Sequence, residues 1–205
     1  MNFSNLCIGI LAIHGSVEEH EASLKKCGIE TLLVKSIDDL EKIDGLIIPG
    51  GESTTIGKLL NWYGIATILK KKIKKGLPVY GTCAGAILLA KKIIGHQKTQ
   101  SLKVMDIEIE RNGYGRQVDS FEGEVVLVIC GGMSVRQLKI PGIFIRAPKI
   151  KKIGKNIKIL AICGKEMVLV REKNMLAGTF HPELTDDLTV HKYFLEMCGD
   201  RKVEK

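Results

Sequence analysis

The stretch Leu77-Pro78-Val79-Tyr80-Gly81-Thr82-Cys83-Ala84-Gly85-Ala86-Ile87-Leu88-Leu89-Ala90 decides the fold. Val79 and Tyr80 favour a strand, and the run from Ala84 to Ile94, rich in Ala, Leu, Ile and Lys, favours a helix. The intervening G-x-C-x-G pattern puts Cys83 on a sharp strand-to-helix turn, where small neighbours allow close packing. The positive end of the following helix favours a thiolate. Taken alone, this stretch predicts either a nucleophilic Cys83 or a small buried filler in a βα turn.

A second motif, near the other end of the chain, contains a possible base. Met175–Phe180 predicts a strand, and His181-Pro182-Glu183 follows it. Residues two apart in an extended segment point the same way, so the Glu183 carboxylate can reach the His181 imidazole. Pro182 restrains His181 towards extended geometry. Cys83, His181 and Glu183 together match the nucleophile, base and orienting carboxylate of covalent catalysis, which favours the catalytic interpretation of Cys83.

Length and composition predict an ordinary globular domain. The 205 residues suit a single domain over 1–205, with a core over about 6–197 and a short C-terminal tail. No apolar run approaches the ~20 residues needed to span a bilayer; Leu6–Ile13 predicts a first strand, not a signal peptide. The six cysteines are scattered without a C-x-x-C pair, so we expect a cytoplasmic protein with free thiols and neither a disulfide framework nor a metal site.

The formal net charge of +8 comes mostly from two lysine-rich runs. Lys70–Lys75 predicts the solvated face of a helix end, where cations also suit the helix dipole. Lys149–Lys158 is punctuated by isoleucines, as a half-buried loop and strand would be. Neither run contains interleaved aromatic residues, so we expect no nucleic-acid partner.

Strand and helix patterns alternate in the first half of the chain and change after Gln100. The predicted strands of the first half are Leu6–Ile13, Thr31–Lys35, Gly45–Ile48 and Val79–Gly81, and the predicted helices are Val17–Cys27, Thr54–Tyr63, Ile65–Lys75 and Ala84–Ile94. The predicted strands of the second half are Val104–Glu110, Val118–Glu122, Glu124–Cys130, Ile143–Ile145, Ile157–Cys163, Met167–Arg171 and Met175–Phe180, with turns at Gly123-Glu124 and Lys173-Asn174 and a closing helix over Leu188–Cys198. This order predicts a three-layer, flavodoxin-like α/β fold with a mostly parallel central sheet and added antiparallel strands.

Three further loops could line a ligand site at the carboxyl ends of the parallel strands. Pro49–Thr55 carries two glycines that let the backbone approach a ligand, but it lacks the Lys-Ser/Thr ending of a phosphate-binding loop. Arg111–Gln117 and Phe144–Pro148 each place an arginine beside small or rigid residues, where it could grip a carboxylate. Alternatively, these are a plain Gly-rich turn and ordinary surface arginines.

Six segments in this order resemble the glutaminase subunit of pyridoxal 5′-phosphate synthase, a class I glutamine amidotransferase. The segments are Gly9–Gly15, Pro49–Thr55, Gly81–Gly85, Arg111–Gln117, Phe144–Pro148 and Thr179–Leu184. The cysteine and His-Pro-Glu motifs are typical of the superfamily, whereas the Pro-Gly-Gly-Glu-Ser-Thr-Thr, Arg-Asn-x-Tyr-Gly-Arg-Gln and Phe-Ile-Arg-Ala-Pro segments are more specific to this family. In one departure, His14 stands where the family usually has Gln.

The resemblance implies hydrolysis of L-glutamine, without metal or cofactor, and transfer of ammonia to a (β/α)₈ synthase subunit in a hetero-oligomer. The backbone N–H groups of Gly51 and Ala84 would form the oxyanion hole. The implied residues around glutamine are Gly51, Glu52, Ser53, Arg111, Ile145 and Arg146. The alternatives are another γ-glutamyl hydrolase of the same fold, a non-catalytic subunit that binds a partner, and a basic nucleic-acid-binding module.

Overall fold

A computed structural model describes residues 3, 5–95, 98–115, 120–131 and 134–203 of the chain. Its strands are β1 (Ile8–Leu11), β2 (Thr31–Val34), β3 (Gly45–Ile48), β4 (Val79–Thr82), β5 (Ala90–Ile94), β6 (Met105–Glu110), β7 (Ser120–Gly131), β8 (Ser134–Ile145), β9 (Lys149–Ile153), β10 (Lys158–Cys163), β11 (Glu166–Glu172) and β12 (Met175–Gly178). Its helices are α1 (Val17–Lys26), α2 (Ser53–Trp62), α3 (Ile65–Lys74), α4 (Ala84–Leu89) and α5 (Thr189–Val203), with 3₁₀ turns at Asp38–Glu41 and Pro182–Leu184.

A nine-stranded sheet in the order β2-β1-β3-β4-β12-β11-β10-β7-β8 forms the middle layer. Its first five strands are parallel, and the next four pair antiparallel. Successive side chains of a strand point to opposite faces of the sheet, so each strand contributes residues to two hydrophobic cores. Leu46 and Ile48 pack with residues of α2, α3 and α4, whereas Ile47 packs with residues of α1 and α5. The three-layer α/β prediction is therefore confirmed.

The second half contains longer strands than the sequence predicts. β7 runs unbroken through the turn predicted at Gly123-Glu124, and β8 begins nine residues before the predicted Ile143. Gly123 pairs with Gly142 across the ladder, and a Cβ at Gly123 would lie 2.9 Å from the Cys163 sulfur. This glycine therefore serves close packing against the neighbouring strand, which its turn propensity does not reveal.

The helix predicted to reach Ile94 ends at Leu89, and β5 takes over at Ala90. β5 pairs with β6 in a second, three-stranded sheet that β9 completes. Lys91 and Lys92 face Asp106 and Glu108 of β6 at 2.9 and 3.1 Å. Strand pairing with β6 outweighs the helix propensity of this segment because it satisfies backbone groups and charges together.

The helix α3 ends in the first lysine run as predicted, with Ile73 buried among lysines that are exposed or half-buried. Lys149–Ile153 of the second run forms β9, in which Ile150 is buried. None of the described cysteines Cys7, Cys27, Cys83, Cys163 and Cys198 is in a disulfide. Within the described ranges, no helix has the length and apolar character to cross a bilayer.

Candidate active site

Cys83 occupies the sharp turn between β4 and α4 with φ 47° and ψ −99°, a backbone conformation that non-glycine residues rarely adopt. Its N–H donates to the Gly178 carbonyl at 2.8 Å, which ties the turn to β12. A Cβ at Gly81 would lie 2.5 Å from the Gly85 carbonyl carbon, and one at Gly85 would lie 2.0 Å from the Ile48 oxygen. The G-x-C-x-G pattern thus allows α4 to pack directly against β3 and β4.

His181 and Glu183 follow β12, the strand beside β4. β12 pairs in parallel with β4, and the residues after Gly178 therefore emerge beside Cys83. Glu183 lies in the 3₁₀ turn Pro182–Leu184, so the extended geometry predicted for it is wrong. The turn still brings its carboxylate to 2.7 Å from His181 Nδ1, because a tight turn also folds residue i+2 back towards residue i.

Electrostatics around the pair favour an imidazolium and a carboxylate. Burial lowers the pKa of His181, but hydrogen bonds to Cys83 and Glu183 outweigh burial and raise it to about 10. Burial raises the pKa of Glu183, yet the neighbouring His20 and the hydrogen bond from His181 bring it below its ordinary value. The Glu183 carboxylate is therefore ionised, and it accepts the hydrogen bond that His181 donates.

A cleft of about 320 Å³ opens beside Cys83, within the size range of small-ligand sites. Its lining contains every site residue named from the sequence except Glu183, which lies behind the His181 ring. The lining residues from that set are Gly51, Glu52, Ser53, Cys83, Ala84, Arg111, Ile145, Arg146 and His181. The structure thus brings together loops that are up to 130 residues apart in sequence.

One wall of the cleft is a network centred on Glu52. This residue caps α2, where its carboxylate accepts from the Thr55 N–H at 3.1 Å, and Arg111 donates to its other oxygen at 2.9 Å. Arg111 also donates to Thr54 and Thr99, at 2.9 and 3.1 Å. Ser53 is buried beside this network, and its Oγ has no hydrogen-bond partner among the residues described. Most buried polar groups have a hydrogen-bond partner, so this hydroxyl is an exception at the site.

The Gly50-Gly51 turn packs against the loop that follows β1. The Ser16 N–H donates to the Gly50 carbonyl at 3.1 Å, and Gly51 has φ 146°, which a side chain would strain. A Cβ at Gly51 would lie 3.1 Å from His14 Nδ1, so His14 borders this peptide. A Cβ at Gly50 would lie 2.5 Å from the His181 ring. The two glycines allow the backbone to pass between these histidines.

Sequence reasoning missed several residues of this region. Ser16, Ile87, Asn112 and Leu184 also line the cleft. Behind Glu183, His20 and His191 are fully buried. His20 follows Val17 and precedes Leu24 on the apolar face of α1, and that spacing is the signal that could have found it. Arg116 and Gln117 of the predicted ligand loops lie outside the described residues.

Residues 10–200 match the model of the SNO glutamine amidotransferase family. A solved glutamine amidotransferase structure superposes with a TM-score of 0.86 at 45% sequence identity, covering 94% of this chain and 98% of that one.

Two curated relatives extend the similarity over nearly the full length. The pyridoxal 5′-phosphate synthase subunit PdxT of Pseudothermotoga lettingae is 51% identical over 194 residues, which cover 95% of this chain and 96% of the relative. The protein of the same name from Thermotoga maritima is 52% identical over 190 residues, which cover 93% and 98% respectively.

Proposed function

Because the chain belongs to the SNO glutamine amidotransferase family, we propose that it is the glutaminase subunit of a pyridoxal 5′-phosphate synthase. It hydrolyses L-glutamine to L-glutamate and ammonia through a cysteinyl thioester, and it passes the ammonia to a (β/α)₈ synthase subunit in the cytoplasm. The observation that carries this proposal is that Cys83 and His181 line the same cleft, with His181 held by Glu183 at 2.7 Å. The likeness to two PdxT subunits at about 50% identity supports the assignment.

The reaction begins with attack of the Cys83 sulfur on the carboxamide carbon of glutamine, which gives a tetrahedral oxyanion. The backbone N–H groups of Ala84 and Gly51 stabilise the oxyanion. Ala84 is suited to this role because it starts α4, where N–H groups lack partners within the helix. His181 gives its proton to the departing nitrogen, the C–N bond breaks, and ammonia leaves the thioester behind.

In hydrolysis of the thioester, His181 accepts a proton instead of donating one. His181, now neutral, takes a proton from water as the water oxygen attacks the thioester carbon. The same backbone donors stabilise the second oxyanion. The carbon–sulfur bond then breaks, glutamate leaves, and the proton taken from water stays on His181, which restores the starting state of the pair. Glu183 holds His181 in the orientation that both steps need.

The residues that line the rest of the cleft bind the α-amino and α-carboxylate groups of glutamine. Arg111 holds Glu52 in place by a hydrogen bond, and Ser53, whose buried hydroxyl has no partner among the described residues, also lines the cleft. Ile145 and Arg146 also line the cleft, where Arg146 contributes a cation and has φ 44°. A cleft with both charge signs and a buried hydroxyl fits a zwitterionic amino acid.

Glutamate release by the full chain, with and without the synthase subunit, tests this function. We expect glutaminase activity that Cys83→Ala abolishes and that Cys27→Ala, a free thiol elsewhere, retains. A chloroketone analogue of glutamine should label Cys83 alone. An ammonium salt should let the synthase subunit make pyridoxal 5′-phosphate without this chain. The proposal would be overturned if the chloroketone labelled another thiol and Cys83→Ala kept its glutaminase activity. Cleavage of γ-glutamyl peptides instead of glutamine would indicate the related hydrolase.

A further inference from the structure

Two histidines are buried behind the triad, on the side away from the cleft. His20 comes from α1 and His191 from α5, and both are 0% exposed. Full burial of a titratable ring is costly unless its nitrogens find partners. Burial lowers the pKa of His20, and it also lowers that of His191, to about 3. Both rings are therefore neutral at physiological pH, and each has one donor and one acceptor nitrogen.

The contacts of His20 lead from α5 to the catalytic carboxylate. Its Nδ1 lies 3.1 Å from His191 Nε2. Its Nε2 lies 3.0 Å from the Thr82 hydroxyl and 3.6 Å from Glu183 Oε1. Thr82 immediately precedes Cys83, and Glu183 holds His181. His20 therefore bridges the strand that carries the nucleophile and the turn that carries the orienting carboxylate.

The surroundings select one proton arrangement for the two rings. His191 Nδ1 has no hydrogen-bond partner among the described residues. A buried N–H without a partner is rarer and costlier than a lone pair without one, so His191 carries its proton on Nε2 and donates it to His20 Nδ1. His20 then carries its own proton on Nε2, directed at Thr82 and Glu183. The opposite arrangement would aim a lone pair at a carboxylate.

The other groups around His20 agree with this arrangement. The Tyr80 ring meets it edge-on at 6.3 Å between centroids, and burial raises the Tyr80 pKa well above its ordinary value, so this neighbour is uncharged. Glu19 of α1 is exposed, and His181 lies beyond Glu183. The nearest charge that His20 faces is therefore the Glu183 carboxylate.

We propose that His20 is a positioning residue for glutamine hydrolysis, whose Nε2–H, fixed by His191, keeps the Glu183 carboxylate ionised and aimed at His181. This inference rests on the proposed function for its kinetic consequence, but the contact itself does not. Without the Nε2–H, Glu183 loses a stabilising dipole in a buried site and can rotate or take up a proton. His181 then loses the anion that keeps it protonated, and proton transfer to the departing nitrogen slows.

A matched pair of substitutions isolates the Nε2–H. His20→Gln can place an amide N–H near the Nε2 position, whereas the shorter side chain in His20→Asn leaves that end empty. His20→Leu removes both nitrogens. We expect kcat for glutamate release by the full chain with its synthase subunit to fall by about tenfold or more in the Asn and Leu variants. His20→Gln should recover most of kcat, and KM should stay within about threefold throughout.

A second measurement does not depend on glutamine. In the ¹⁵N-histidine-labelled chain, NMR titration should show a high His181 midpoint that falls in His20→Asn and His20→Leu and is restored in His20→Gln. If His20→Leu does not fold, the Gln and Asn variants decide. The proposal would be overturned if all three variants kept the wild-type kcat and the wild-type His181 midpoint. It would also be overturned if His20→Gln and His20→Asn lost kcat equally while the His181 midpoint stayed unchanged. A wild-type chain without glutaminase activity would refute the proposed function, and the His181 titration would still test His20.

Discussion

Glu183 does not line the cleft, yet it accepts from His181 Nδ1 at 2.7 Å and has an unpartnered second oxygen among the described groups. At the residue scale, such a carboxylate acts on the transition state and not on substrate binding. We expect Glu183→Gln to lower kcat by about 10²–10⁴-fold with little change in KM. Steady-state kinetics would check this, and a large rise in KM at constant kcat would reassign Glu183 to glutamine binding.

His191 sets a limit on stability in acid. Burial and His20 lower its pKa to about 3. Below about pH 6.5, His191 therefore binds a proton in the unfolded chain that it does not bind in the folded chain. The free energy of unfolding should therefore fall as pH drops from about 6.5 to about 3, by at most about 1.4 kcal/mol per pH unit for this group. In urea titrations His191→Gln should lose less stability over this range, since it keeps a donor to His20 without titrating. Equal slopes for the two proteins would contradict this.

At the scale of the elements, the contact between α4 and the sheet depends on Gly85. An added Cβ would meet the Ile48 carbonyl oxygen at 2.0 Å, and backbone in the middle of a sheet cannot move aside cheaply. We expect Gly85→Ala to lower the free energy of unfolding by about 1–3 kcal/mol or more and to displace Cys83 from His181.

The control for this substitution is Gly199→Ala in α5, where an added Cβ meets nothing within 4 Å. That change should raise the free energy of unfolding by up to about 1 kcal/mol, because alanine is the better helix former. Urea denaturation and glutaminase assays of both variants provide the comparison. Similar stability of the two would show that the α4–β3 packing is looser than the structure indicates.

At the scale of the whole molecule, activity should depend on the partner subunit. The Gly50 carbonyl accepts from Ser16, and His14 borders the Gly51 peptide, so the loop after β1 contacts the peptide that we propose as one oxyanion donor. A glutaminase that worked alone would waste glutamine, and loss of one such donor costs about 10²–10³ in kcat. We expect the isolated chain to be a poor glutaminase that the synthase subunit strongly activates.

His14 should contribute to that activation. A neutral imidazole has one donor and one acceptor and so can replace part of the amide function of the usual Gln. His14→Ala should reduce the ratio of kcat with partner to kcat alone more than it changes KM, and His14→Gln should retain the ratio. An unchanged ratio in His14→Ala would remove His14 from the mechanism, and equal activity of the wild type with and without partner would remove the gating itself.

What the sequence determined by itself was the local chemistry. The turn around Cys83 needs Gly81 and Gly85 because of close backbone contacts, and His181 and Glu183 are near enough in sequence to meet in an extended segment or a 3₁₀ turn. Alternation of strand and helix patterns sufficed to predict a three-layer α/β fold, since both faces of a parallel sheet must be covered.

Tertiary structure alone decided the features whose partners are remote in sequence. Ala90–Ile94 is a strand despite its helix propensity, because it forms backbone hydrogen bonds with β6 and because its lysines pair with acidic side chains of β6. His20 meets Thr82 and His191, which are 62 and 171 residues away, and no local pattern shows that the ring faces Glu183. The burial, the pKa and the proton arrangement of such a group depend on the neighbours that the completed fold brings together, so they follow from the packed molecule and not from the order of its residues.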